Sequence, residues 1–224
     1  MKINIAIDGP SAAGKSTIAD LLAKKLGYIH LDTGAMYRCV ALKAKRMGIA
    51  LDDEKNLCSM LSRTDIAMTP EGTVFLDGED VSSRIREEDI SMAASDVSKQ
   101  AQVRADLVKR QQEMAQAKGF IMDGRDIGTV VLTDAGVKIF LTASAHARAE
   151  RRYLQNKAKG IPSDLKTIEE EIEKRDYQDS HRRNSPLRQA ADAVRIDSSD
   201  LSIEQVADRI LKIAEPVIRG EVQQ

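Results

Sequence analysis

Ile3-Asn4-Ile5-Ala6-Ile7-Asp8-Gly9-Pro10-Ser11-Ala12-Ala13-Gly14-Lys15-Ser16-Thr17 is the stretch that decides the fold. The apolar run Ile3–Ile7 predicts a buried strand, and Thr17–Leu26 predicts a helix stopped by Gly27. Between them, Gly9 to Ser16 fits G-x-x-x-x-G-K-[ST] at every fixed position. A strand, a glycine turn and a helix start gather backbone N–H groups at the positive end of the helix dipole, which makes an anion site. Gly9, Pro10, Ser11, Ala12, Ala13, Gly14, Lys15, Ser16 and Thr17 are therefore the expected cradle of a nucleoside triphosphate. Lys15 is expected to reach the β- and γ-phosphates, and the Ser16 hydroxyl to sit on a Mg2+ ion.

Outward from this stretch, strand-like and helix-like segments alternate, which predicts an α/β fold with a parallel sheet flanked by helices. Tyr28–Asp32, Phe120–Met122, Val137–Leu141 and Ala193–Ile196 are strand candidates; Ala35–Met47, Ala145–Lys159, Ser163–Arg182 and Ser202–Val217 are helix candidates. The middle departs from this rhythm. Ile66–Val81 alternates apolar and polar residues around Pro70-Glu71-Gly72 and Asp77-Gly78, a hairpin pattern, and a long helical stretch runs from about Glu87 to Lys118.

The chain has 224 residues, which suits one α/β domain with insertions or two small domains. A net charge of −1 gives no global attraction to nucleic acid or acidic lipid, and 3% aromatic content without Trp leaves few stacking platforms. Cys39 and Cys58 lack metal-ligand or C-x-x-C spacing and read as reduced thiols. Without a leader-like segment or an apolar run long enough to span a bilayer, a cytoplasmic protein with no membrane or nucleic-acid partner is expected. No heptad or sticky face stands out, so a monomer is expected.

A phosphate loop alone does not give function. A GTPase switch would show N-K-x-D and D-x-x-G; here Asn156-Lys157 runs into Ala158-Lys159, and no glycine has an Asp three residues before it. The arginines point elsewhere. Arg148, Arg151 and Arg152 share one helix face, as do Arg175, Asp179 and Arg182, while Arg38 and Arg125 fall near predicted strand ends. Arginine suits forked phosphate contacts. A phosphate acceptor is already largely anionic at neutral pH and needs no general base, only cations that let two anions approach. That pattern favours a nucleoside monophosphate kinase over a kinase of alcohols.

Four segments then carry a family resemblance: Asp8-Gly9-Pro10-Ser11, Asp32-Thr33-Gly34-Ala35-Met36-Tyr37-Arg38, Asp123-Gly124-Arg125-Asp126-Ile127-Gly128-Thr129, and Arg175-Asp176 with Asp179 and Ser185-Pro186-Leu187. Together they closely resemble the bacterial cytidylate (CMP) kinases, within the phosphate-loop monophosphate kinases, over essentially the whole chain. The resemblance implies Mg2+-dependent transfer of the ATP γ-phosphate to CMP or dCMP. It implies one domain over 1–224, with a core of about 1–51, 98–152 and 164–224, a monophosphate-binding insert of about 52–97 and a lid of about 153–163. It further implies that Arg38, Arg125 and Arg182 clamp the CMP phosphate, with Thr33 nearby. Ser95, Arg104 and Asp126 would read cytosine, and Arg175 and Asp179 would hold the ribose. Arg151, with Arg148 or Arg152, would belong to the closing lid. Lys15, Arg38, Arg125, Arg151 and Arg182 are the expected catalytic cations. A kinase of UMP or AMP, or a nucleotide-dependent regulatory module, is the alternative. Asp123 stands between two readings, a water-mediated Mg2+ contact or a carboxylate that orders the Gly124 turn and pairs with Arg125 or Lys15. Asp8 likewise stands between a turn-structuring carboxylate and a substrate-side contact. Ser95 and Arg104 lie nine residues apart and so on opposite faces of a continuous helix; for both to reach one cytosine, as the resemblance implies, the helix must break near Ser98–Ala101.

Overall fold

An unbroken apolar strand needs cover on both faces, and β1 (Ile5–Asp8) is buried along its whole length. The computed structural model describes residues 1–221. In chain order the elements are β1, α1 (Lys15–Leu26), β2 (Ile29–Asp32), α2 (Thr33–Arg46), α3 (Glu54–Leu61), β3 (Ile66–Met68), β4 (Val74–Leu76), β5 (Glu79–Asp80), α4 (Glu88–Val97), α5 (Ala101–Ala115), β6 (Phe120–Gly124), β7 (Val137–Thr142), α6 (Ala145–Ala158), α7 (Leu165–His181), β8 (Val194–Asp197) and α8 (Ile203–Arg219). A 3-10 turn at Arg84–Arg86 and a π-helical turn at Ile127–Val131 complete the set. The architecture is α/β, with a parallel sheet flanked by helices and, in addition, a small antiparallel sheet.

The chain forms two units, Met1–Tyr28 with the residues from Lys118 onward, and Ile29–Ala117. In the first unit β1 lies between β6 and β7, and β8 follows β7, all parallel. Asp8 pairs in register with Gly124 on one side and Phe140 on the other. The carboxyl ends of these strands therefore share one edge, where α/β proteins bind their ligands. Ile5, Ile7, Ile121, Ile139, Leu141 and Ile196 of the sheet pack with Ile18 and Leu22 of α1 and Val206 and Ile210 of α8. Each such side chain contributes about 1.5–3 kcal/mol by leaving water. Helices α6 and α7 pack through Ala149, Ile168 and Ile172.

In the second unit, α2 buries Met36, Cys39, Val40 and Leu42, and α4 buries Ile90, Ala93, Ala94 and Val97. Strands β3, β4 and β5 form the antiparallel sheet at the expected hairpin positions. The expected helix break is present. Helix α4 stops at Val97, Gln100 is extended with ψ 118°, and α5 begins at Ala101. Helix α3 and the π-helical turn were not legible. With eight residues and only Leu57, Met60 and Leu61 buried, α3 offers too little periodicity to announce itself.

Gly9 ends β1's approach to the loop, and a Cβ there would sit 2.0 Å from the Leu141 carbonyl oxygen. Only backbone displacement could relieve that clash. Gly27, with φ 64°, has open space around it. Thermal denaturation should therefore separate two substitutions: Gly27→Ala should cost about 1–2 kcal/mol, while Gly9→Ala should lower Tm clearly further.

Candidate active site

The glycine loop is held from behind. Arg148, reaching back from α6, donates through Nη1 to the Ser11 carbonyl at 3.0 Å, and Ser198 Oγ lies 3.5 Å from the Ala13 carbonyl. Across a trans peptide the carbonyl and the following N–H point opposite ways. Anchoring those two carbonyls thus turns the N–H groups of Ala12 and Gly14 to the other side of the loop. Gly14 takes the left-handed conformation (φ 91°) and α1 starts at Lys15, two residues earlier than expected.

Lys15 is buried and donates through Nζ to the Pro10 carbonyl at 2.7 Å. Burial, reinforced by the Arg125 guanidinium, pushes its amine down to about 7 against the pull of Asp123 and Asp179. Ser16 Oγ donates to Asp123 Oδ2 at 2.9 Å. A hydroxyl and a buried carboxylate side by side are hard oxygen donors of the kind Mg2+ takes. Asp8 accepts from the N–H groups of Ile127 and Gly128, both at 2.7 Å. Burial pushes its carboxyl up to about 6, the two amides opposing only in part.

Arg125, Asp126, Asp179 and Arg182 converge in the same unit. Arg125 Nε donates to Asp179 Oδ2 at 2.7 Å, and Arg182 lies 3.9 Å from both Asp179 Oδ1 and Asp126 Oδ1. Arg182 Nε also donates to the Ser185 carbonyl at 2.6 Å, and Leu187 N–H to the Asp179 carbonyl at 2.8 Å, so the Ser185-Pro186-Leu187 segment folds back on this cluster. Burial raises the Asp179 pKa, but Arg125, with Arg175 and Arg182, outweighs it and holds the carboxylate below its ordinary value. Arg148, 4% exposed, also pairs with Asp176 at 2.5 Å. Arg151 bonds the carbonyls of Ser198 and Ser199, and Arg152 is exposed.

The second unit brings together its own set. Asp32 caps α2 by accepting from Ala35 N–H at 3.0 Å, and its other oxygen pairs with Arg38 at 2.7 Å and Arg86 at 2.9 Å. Burial works against this carboxylate's charge, yet the two guanidiniums hold it below its ordinary value. Arg38 Nε is buried and finds no hydrogen-bond partner among the described residues. Thr33 is buried in the first turn of α2. Arg104 lies over the Tyr37 ring, 5.3 Å from its centroid, and donates to the Ser98 carbonyl at 3.2 Å. Ser98 Oγ donates to the Ser95 carbonyl at 2.8 Å, so the helix break links Ser95 to Arg104.

Sequence reasoning missed several of these positions. Lys138 is buried on β7, donating to the Thr133 carbonyl at 2.7 Å and pairing with Asp192 at 2.6 Å. A lone lysine inside an apolar strand is the signal that could have marked it. Arg86, which stands on Asp32, and Ser198, which braces the loop, carried no motif.

Comparison with known proteins agrees with the resemblance. A family model described as cytidylate kinase matches residues 5–216. The chain is 54% identical over 224 residues to a cytidylate kinase of Caldicellulosiruptor bescii, covering 99% of both. It is 54% identical over 217 residues to that of Ligilactobacillus salivarius, covering 96% of this chain and 97% of the relative. Among solved structures, a gluconokinase from Sinorhizobium meliloti shares the fold at 14% identity, with a TM-score of 0.51 over 99% of this chain and 98% of that one.

The depressed Lys15 amine has a measurable consequence. Above about pH 7 it is mostly neutral without ligand, and a bound polyphosphate restores its charge. Calorimetry of ATP binding at pH 8 in buffers of different ionisation enthalpy should show uptake of about one proton. That uptake should fade as pH falls through 7 towards 6, and vanish in Lys15→Ala.

Proposed function

We propose, because the chain belongs to the cytidylate kinase family, that it transfers the γ-phosphate of ATP to CMP or dCMP, giving CDP or dCDP and ADP. It is an ATP-dependent nucleoside monophosphate kinase, a phosphotransferase. The observation that carries the reading is the cluster of part-buried Arg125 and Arg182 with buried Asp126 and Asp179 in the same unit as the phosphate loop. Cations stand where an anionic acceptor must approach an anionic donor, and such preorganised charge is the main device of phosphoryl transfer.

Residues Gly9 to Thr17 would cradle ATP, with Lys15 on its terminal phosphates. Ser16 and Asp123 would hold Mg2+ beside the polyphosphate, where the ion supplies charge neutralisation when bound. Arg38, Arg125 and Arg182 are assigned to the CMP phosphate, with Thr33 adjacent; the Arg38 Nε that lacks a partner supports its share. Asp126 is assigned to the N4 amino group of cytosine. Uracil presents an oxygen there, so a carboxylate attracts one base and repels the other. Arg104 can donate to O2 and N3, with Ser95 beside it through the Ser98 turn. Arg175 and Asp179 are assigned to the ribose hydroxyls.

The acceptor phosphate is its own nucleophile and needs no base. What these residues do is orient it, neutralise charge and exclude water. Residues 52–97 are proposed as the acceptor-binding insert and 153–163 as the lid. Gly160 (φ 68°) lies at the lid's tip and Arg151 at its root. No helix among the described residues is long and apolar enough to cross a membrane; a cytoplasmic monomer with only small-molecule partners is proposed. The relatives favour neither a UMP or AMP kinase nor a regulatory module.

An ADP-release assay with Mg-ATP and CMP, dCMP, UMP, AMP and GMP tests the reading. Turnover should be confined to CMP and dCMP; fast turnover of another monophosphate would overturn the base assignment. Lys15→Ala should cut kcat by about 100-fold or more while CMP still binds, and near-normal kcat would remove the lysine's role.

A further inference from the structure

Asp8 sits between the two halves of the chemistry in the first unit. It is the last residue of β1, immediately before Gly9, and is 4% exposed. Its two oxygens are both committed, Oδ1 to the Ile127 N–H and Oδ2 to the Gly128 N–H, each at 2.7 Å. Those amides belong to the two residues that directly follow Arg125-Asp126. The Asp126 carbonyl in turn accepts from Val130 at 2.9 Å and Val131 at 3.3 Å, closing the π-helical turn. π-Helical turns inside proteins gather at functional sites.

The turn is gripped from the other side as well. A Cβ on Gly128 would lie 3.2 Å from Lys138 Cδ and 3.4 Å from Asp8 Oδ2. The lysine's own end is tied to Thr133 and Asp192. Gly128 is thus pressed between a fixed carboxylate and a fixed aliphatic stem. One hydrogen bond would leave the turn free to rotate about it; two from one rigid carboxylate fix both place and orientation. A carboxamide offers one acceptor and confronts the second N–H with its own donor.

We propose that Asp8 is a positioning residue for phosphoryl transfer, setting the register of Arg125 and Asp126 against the phosphate loop that begins at its own C-terminal neighbour. It touches neither substrate. The inference rests on the reading that Arg125 and Asp126 meet the acceptor.

The test uses full-length Asp8→Asn, Gly128→Ala and Asp126→Ala with Mg-ATP, CMP and UMP, and a Tm for each. Asp8→Asn should raise KM for CMP by about 10- to 100-fold, as misplacement of a binding group does. It should also narrow the preference for CMP over UMP while leaving KM for ATP within about twofold. Gly128→Ala keeps the carboxylate but crowds the turn, and should shift the same two quantities in the same direction by less. A lowered Tm with both KM values and the base preference unchanged makes Asp8 purely structural and overturns the inference. Equal rises in KM for ATP and CMP also overturn it, since Asp8 then organises the loop instead of the turn. If Asp8→Asn does not fold, Gly128→Ala decides between the same outcomes. Loss of base preference in Asp126→Ala, with none in the other two, defeats the inference alone. Retention of base preference in Asp126→Ala defeats the acceptor reading itself.

Discussion

Charge buried at one edge of a parallel sheet is the constraint from which the rest of this structure follows. Lys15, Arg148, Asp8, Asp123, Asp126 and Asp179 are all less than 9% exposed. An ion taken out of water without a partner is too costly to persist. Each of these therefore has its geometry dictated by what it must pair with: Arg125 with Asp179, Arg148 with Asp176 and a loop carbonyl, Asp8 with two amides. The burden shows in the groups that give way. The Lys15 amine is pushed down and the Asp8 carboxyl is pushed up, each towards its neutral form. A phosphate bound among these cations, as proposed, would relieve part of that burden.

The second unit solves a smaller version of the same problem with a different device. Asp32 is an N-cap first, and capping turns one oxygen to the Ala35 amide and leaves the other for guanidiniums. Arg38, six residues on, is thereby directed by the same carboxylate that starts its helix. Arg104 is oriented by a ring face and a carbonyl at a helix break. The buried Arg38 Nε finds no hydrogen-bond partner among the described residues, so this arginine keeps one donor uncommitted.

Much of this was legible in the sequence because it is local. The phosphate loop and the strands and helices around it follow from periodicity and glycine placement over a few residues; the break between Ser95 and Arg104 followed only once the resemblance set both residues to one base. Pairings across the chain were not. Nothing near Asp8 announces that its partners are amides more than a hundred residues away, and nothing near Arg148 announces Ser11. The arginine stripe on α6 looked like one functional face, yet Arg148 turns inward to brace the loop while Arg152 stays exposed. Spacing gives the face of a helix; tertiary packing alone gives what that face meets. Lys138 escaped for a related reason, since a strand's alternation says nothing of an ammonium group satisfied beyond the sheet.

The hold of Asp8 on Ile127 and Gly128 is a grip on main chain, and this has a bearing on how such a site can change over generations. An amide is supplied by any residue but proline, so the grip itself asks nothing of the side chain at position 127, which is constrained instead by its burial. The demand for identity falls instead on the single carboxylate and on the absence of a side chain at Gly128. Heritable variation around this turn can thus be tried one residue at a time, with the frame that holds it kept apart from the letters being tested.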